Sequence, residues 1–172
     1  MTASKTAAKS AKPASKSTRA RFASPDAIEL LMDDHKKVKK LFKEYEKLAK
    51  QEDTEGKVEI ANQICEEMTV HAAVEEEIFY PAAREAIGDE DMLNEAIVEH
   101  ASAKDLIAQI RGMSGDDDMY DAKVKVLSEY INHHVEEEET EMFPKAKKAK
   151  MDLDGLAAEI MERKEELMGE TA

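Results

Sequence analysis

The sequence predicts an all-α chain. It reads as an up-down-up-down four-helix bundle over residues 25–150 with an internal two-fold repeat, a short C-terminal amphipathic helix over 151–172, and a disordered basic N-terminal tail over 1–24. Three observations point there. Four stretches carry apolar residues at steps of three and four, the spacing that lines one face of an α-helix. Charged residues make up 37% of the chain and aromatics 5%, with no Trp, a composition that favours helices. One motif is written twice: His71 is followed by Glu75, Tyr80 and Pro81, and His134 by Glu138, Phe143 and Pro144, at the same offsets of four, nine and ten.

Residues 1–24 hold Lys5, Lys9, Lys12, Lys16, Arg19 and Arg21 and no acid. They lack hydrophobic periodicity, so disorder is expected. A solvated tail is the plain reading. A basic arm touching nucleic acid or an acidic partner comes second, and an organellar transit peptide third, though lysine outnumbers arginine. Of the 25 basic residues these six are set aside, which leaves 19 against 39 acids and a charge of −20 on the remainder. That charge opposes general nucleic-acid binding by the folded part.

Ser24-Pro25-Asp26 supplies a capping hydroxyl, a proline for the first helical position and an acid for the first turn. The first seam runs Ile28, Leu31, His35, Val38, Phe42, Tyr45, Leu48, and Gln51 to Gly56 breaks it. The second runs Ile60, Ile64, Met68, His71, Glu75, Ile78, and Pro81 is expected to kink or end that helix. Gly88 and Asp89 stop one helix and start the next. The third seam is Leu93, Ala96, His100, Ala103, Ile107, Ile110, closed by Gly112 and Gly115. Asp116 to Asp118 suit the next start, and the fourth seam is Val124, Leu127, Ile131, His134, Glu138, Met142. Lys145 to Lys150 mark a helix end. Leu153, Leu156, Ile160 and Leu167 mark a fifth helix that packs across the bundle or against a partner chain.

Each of the four seams carries one His, and two of them add a Glu one turn on. His35 precedes His71 by 36 residues and His100 precedes His134 by 34, so a helix pair is duplicated about a pseudo-two-fold axis. Buried unpaired carboxylates cost several kcal/mol, and a cation reverses that cost. His35, His71, Glu75, His100, His134 and Glu138 form a nitrogen and oxygen set suited to iron, manganese or zinc. They suffice for two metals, each with two His, and with Glu75 and Glu138 bridging. His133 also has a Glu four later, Glu137. His134 is preferred because it keeps step with Leu127 and Ile131 and lies as far from Pro144 as His71 does from Pro81. Glu76, Glu77, Glu136, Glu137 and Glu139 read as solvated faces.

At these residues the chain resembles the hemerythrin family, and within it the bacterial group named for its His-His-Glu repeats. The resemblance covers roughly residues 27–150. It implies a four-helix bundle around two non-haem iron ions, with carboxylate bridges and an oxo or hydroxo bridge, and O2 or a related small ligand at an open position. Oxygen carriers of the family use five His, with a second one four residues from its neighbour on the third helix. Here the positions four either side of His100 are Ala96 and Lys104. The carriers' last bridging carboxylate is an Asp five after its His; here it is Glu138, four after. These departures match the His-His-Glu group and leave one more coordination position open.

Two functions follow as expectations: a module that binds O2 or senses iron or redox state, or a di-iron enzyme reducing peroxide or handling nitric oxide. A ferritin-like iron oxidase is disfavoured, because those bundles use Glu-x-x-His. Cys65, the one cysteine, excludes a disulfide framework, fits a reducing cytoplasm and reads as a small buried hydrophobe. No apolar run is long enough for a membrane span.

Overall fold

A computed structural model describes residues 24–170. Its helices are α1 (Ala27–Lys50), α2 (Thr54–Val74), α3 (Tyr80–Ile87), α4 (Glu90–Arg111), α5 (Tyr120–Glu137), α6 (Phe143–Lys148) and α7 (Leu153–Glu170). α1 packs on α2, α2 on α4, α4 on α5 and α5 on α1, which closes the up-down-up-down ring. The reading of residues 1–24 as a disordered tail lies, apart from Ser24, outside the described residues.

The helix starts follow local chemistry, with two adjustments. Asp26, rather than Ser24, caps α1: its carboxylate accepts from the Glu29 N–H while Glu29 reaches back to the Asp26 N–H. Asp53 caps α2 and Asp89 caps α4, each accepting from a backbone N–H three residues on. Gly88 ends α3 at φ 70°, a conformation that a side chain disfavours. Asp116 to Asp118 do not start a helix. They form the preceding turn, where Asp117 Oδ1 accepts from the Met119 N–H at 2.8 Å, and α5 begins at Tyr120.

Pro81 and Pro144 neither end nor break their helices. Residues Glu75–Phe79 and Glu138–Met142 form single π-helical turns that join α2 to α3 and α5 to α6. The Tyr80 N–H donates to the Glu75 carbonyl and the Phe143 N–H to the Glu138 carbonyl, each five residues back. The widened turn takes up a proline whose ring would otherwise press on the carbonyl four residues before it. Both π turns begin on a glutamate that the repeat had singled out.

The core is divided. One apolar cluster holds Val38, Phe42, Ile64, Cys65, Leu127 and Ile131 among others. The second holds Leu31, Val74, Phe79, Leu93, Met142 and Phe143. Each long helix passes from one to the other through a histidine: Leu31–His35–Val38, Met68–His71–Val74, Ala96–His100–Ile107 and Ile131–His134–Met142. The polar residues therefore form a layer sealed above and below by hydrocarbon. The fifth helix packs on the bundle: α7 lies on α1 and α2, burying Ala157 and Ile160, with Arg163 bonded to Glu77 and Lys164 to Asp34.

Candidate metal centre

Six polar residues are buried in that layer: His35, His71, Glu75, His100, His134 and Glu138, each 5% exposed or less. They are the six singled out by the seam pattern, and the fold brings all of them together. His35 comes from α1, His71 from α2, His100 from α4 and His134 from α5, while Glu75 and Glu138 open the two π turns.

The geometry has two halves. In the first, His35 Nε2 and His71 Nε2 are 3.2 Å apart. Glu75 Oε1 lies 3.1 Å from His71 Nε2 and Glu138 Oε2 lies 3.3 Å from His35 Nε2. In the second, His100 Nε2 and His134 Nε2 are 3.0 Å apart. Glu75 Oε2 lies 3.3 Å from His100 Nε2 and Glu138 Oε1 lies 3.4 Å from His134 Nε2. Each carboxylate thus sends one oxygen to each half, the arrangement expected of a bridging ligand. Glu75 Oε1 and Glu138 Oε2 are buried without any hydrogen-bond donor. Two orphaned carboxylate oxygens facing imidazole nitrogens, with no thiolate in the set, fit a pair of divalent or trivalent cations.

The outward nitrogen of every imidazole meets a carboxylate. His35 Nδ1 is 2.9 Å from Glu139, His71 Nδ1 2.9 Å from Asp34, His100 Nδ1 2.9 Å from Glu76 and His134 Nδ1 2.6 Å from Glu99. Carboxylates accept, so each Nδ1–H donates outward and each Nε2 is turned inward, where it could ligate a cation. The pseudo-symmetry extends to these partners: Asp34 and Glu99 each precede a seam His, and Glu76 and Glu139 each follow a seam Glu. Glu76 and Glu139 are therefore not simply solvated; they are 28% and 26% exposed and orient the histidines. Lys164 Nζ holds Asp34 Oδ1 at 2.6 Å, and Lys104 Nζ holds Glu76 at 2.7 Å.

Charge compensates inside the layer. Burial would lower the pKa of His71, but the Glu75 charge and the bond to Asp34 outweigh it and push it up to about 10. His134 is likewise opposed by burial and pushed up to about 11 by Glu138 and Glu99. Burial would raise Glu75 and Glu138, and the Glu75 charge would raise Glu138 further, but the facing imidazoles hold Glu75 well below, and Glu138 below, the usual range. A cation entering this layer displaces protons. A cleft of about 230 Å³ lined by Glu95, Glu99, Glu137 and Glu141 leads to His134 and Glu138, an acidic approach for such a cation.

His133 stands apart: its side chain is 64% exposed and pairs with Glu137 at 3.3 Å, on the flank that the register argument assigned it. Tyr80 is the residue the sequence reading passed over, having taken it only as the aromatic before Pro81. Its hydroxyl lies 2.7 Å from Glu138 Oε1, 3.2 Å from His100 Nε2, 3.2 Å from His134 Nε2 and 3.3 Å from Glu75 Oε2. At the matching place in the other half is Phe143, stacked on His35 with ring centroids 5.9 Å apart. The signal was available in the repeat, where Tyr and Phe occupy the same offset.

The hemerythrin HHE cation-binding domain model matches residues 26–146. A protein from Nostoc sp. described as a DNA nickase is 34% identical over 110 residues; these are 64% of this chain and 30% of that protein, so the chain spans less than a third of its length. The crystal structure of a hemerythrin HHE cation-binding domain-containing protein from Mycobacterium kansasii superposes with a TM-score of 0.70 over 86% of this chain and 90% of that one. At 20% identity that likeness speaks for the fold.

Proposed function

This chain belongs to the hemerythrin HHE cation-binding domain family, and from that premise we propose that it is a non-haem di-iron protein that binds O2 or a related small ligand, or senses iron or redox state. The observation that carries the reading is the pair of buried carboxylates, each offering one oxygen to each histidine pair. His35 and His71 would hold one iron, His100 and His134 the other, and Glu75 and Glu138 would bridge them. Iron supplies the Lewis acidity and the accessible redox change.

The chain's own residues supply the rest. Asp34, Glu76, Glu99 and Glu139 fix the imidazole tautomers. The two apolar clusters keep bulk water from the layer and strengthen its electrostatics. The acidic cleft draws cations toward His134 and Glu138. We assign this centre to residues 25–150, with α7 (Leu153–Glu170) as a covering helix, and place the protein in a reducing cytoplasm on the strength of its single, buried Cys65.

A second reading, a di-iron enzyme that reduces peroxide or handles nitric oxide, is favoured by one observation. On α4 the neighbours of His100 contribute no further ligand, since Ala96 is apolar core and Lys104 turns out to Glu76. Four histidines in the set, one fewer than in the oxygen carriers, leave more room in the centre as a whole for a reacting ligand. The nickase name is not extended to this chain, because the match spans 30% of that protein and the bundle is strongly acidic. We take the basic residues of the first 24 as the place for nucleic acid or another acidic partner. Elemental analysis of iron-loaded protein, with absorption spectra before and after air, is expected to give two irons per chain. One metal per chain, or zinc under iron-replete expression, overturns the reading. Turnover with peroxide then separates binding from catalysis.

A further inference from the structure

The two halves of the centre match in their histidines, bridging oxygens and outer carboxylates, and differ in one oxygen that faces the inner nitrogens. The Tyr80 hydroxyl lies among the ligating atoms of His100, His134, Glu75 and Glu138, while the first half has the Phe143 ring and no oxygen. The two carboxylate oxygens left without a donor both belong to that first half. We propose that Tyr80 is a protein ligand of the metal held by His100 and His134, so that the two metals are inequivalent and the one held by His35 and His71 keeps the more open coordination sphere. The proposal rests on the dinuclear reading above.

The distances carry it. In a six-coordinate site with bonds of ~2.1 Å, adjacent ligand atoms lie ~3.0 Å apart, and any one ligand has four such neighbours. The phenol oxygen has four nitrogen or oxygen neighbours at 2.7 to 3.3 Å, all of them the candidate ligands of one half. The side chain is 2% exposed and held from both ends, its ring edge-on to Phe79 and tilted against His100, so the oxygen has little freedom to leave. The π turn that starts at Glu75 ends where Tyr80 begins, which sets carboxylate and phenol against the same half from one segment. On coordination the metal replaces the phenol proton, which leaves to solvent.

The test uses the full chain, loaded with iron and oxidised in air. A phenolate bound to ferric iron gives a visible charge-transfer band and enhanced tyrosine ring modes in the resonance Raman spectrum. Both are expected here, with the ring modes shifting when the protein is grown on ring-deuterated tyrosine. The other tyrosines lie elsewhere: Tyr45 and Tyr120 pack in the far apolar cluster and Tyr130 is half exposed. Tyr80→Phe, which gives this half the ring that Phe143 gives the other, is expected to abolish the band and the ring modes in the iron it retains. Absence of both signals in wild-type protein carrying two irons overturns the proposal, as does their survival in Tyr80→Phe. Labelled wild-type protein decides the matter if the variant folds poorly. Iron content judges the dinuclear centre and the phenolate signals judge Tyr80, so the two can fail separately.

Discussion

Adjacent residues His133 and His134 offer the sharpest perturbation of the centre. They point ~100° apart on an α-helix. His134 is 5% exposed, with Nδ1 on Glu99 and Nε2 beside Glu138 and His100. His134→Ala removes the positive imidazole that offsets Glu138, which is itself 1% exposed. Breaking a buried pair by removing one partner costs about 3–5 kcal/mol, a large share of a total stability of about 5–15 kcal/mol. The metal-free variant is therefore expected to unfold at much lower urea than wild type, and its iron content to fall toward one per chain or below. His133 is 64% exposed and bonded only at the rim. His133→Ala is expected to stay within about 0.5 kcal/mol of wild type and to keep both irons. Paired urea titrations of metal-free protein, with iron determined on loaded protein, check this directly. If His133→Ala loses the metal while His134→Ala keeps it, the ligand assignment in α5 is wrong by one residue.

The outer carboxylates make a second expectation: Asp34→Asn and Glu99→Asn, at equivalent places in the two halves, should each weaken metal affinity about 10–100-fold in competition with a chelator. The third concerns pH. The folded pKa values of His71 and His134 are raised from 6.5 to about 10 and about 11, so their contribution to metal-free stability is complete below 6.5 and is lost as pH rises through those values. Glu75 and Glu138 are lowered from 4.5, so their contribution is present above 4.5 and is lost as pH falls through the depressed values. Metal-free protein should thus lose urea resistance from neutral pH upward, while metal affinity measured by competition rises over the same range because fewer protons are displaced.

What the sequence determined by itself is local in origin. Residues three and four apart share a helix face wherever the helix goes, so the four seams, the placement of His35, His71, His100 and His134 on them, and the Glu one turn beyond two of them could be read without coordinates. The duplication could be read in the same way, because both copies keep one spacing through Pro81 and Pro144. The tertiary structure decided everything that depends on how one helix is rotated and shifted against another. Asp34 serves His71 and Glu99 serves His134 across helix pairs, and no spacing within a helix names those partners. Glu76 and Glu139 looked like members of solvated acidic runs until the opposite imidazoles were in place. Pro81 pointed to a kink or a helix end, but the chain runs on through one widened turn before it, as it does before Pro144, and that turn is what sets Glu75 and Glu138. Tyr80 and Phe143 are interchangeable as apolar filler in a seam pattern. They became chemically distinct only when four helices closed around the one hydroxyl.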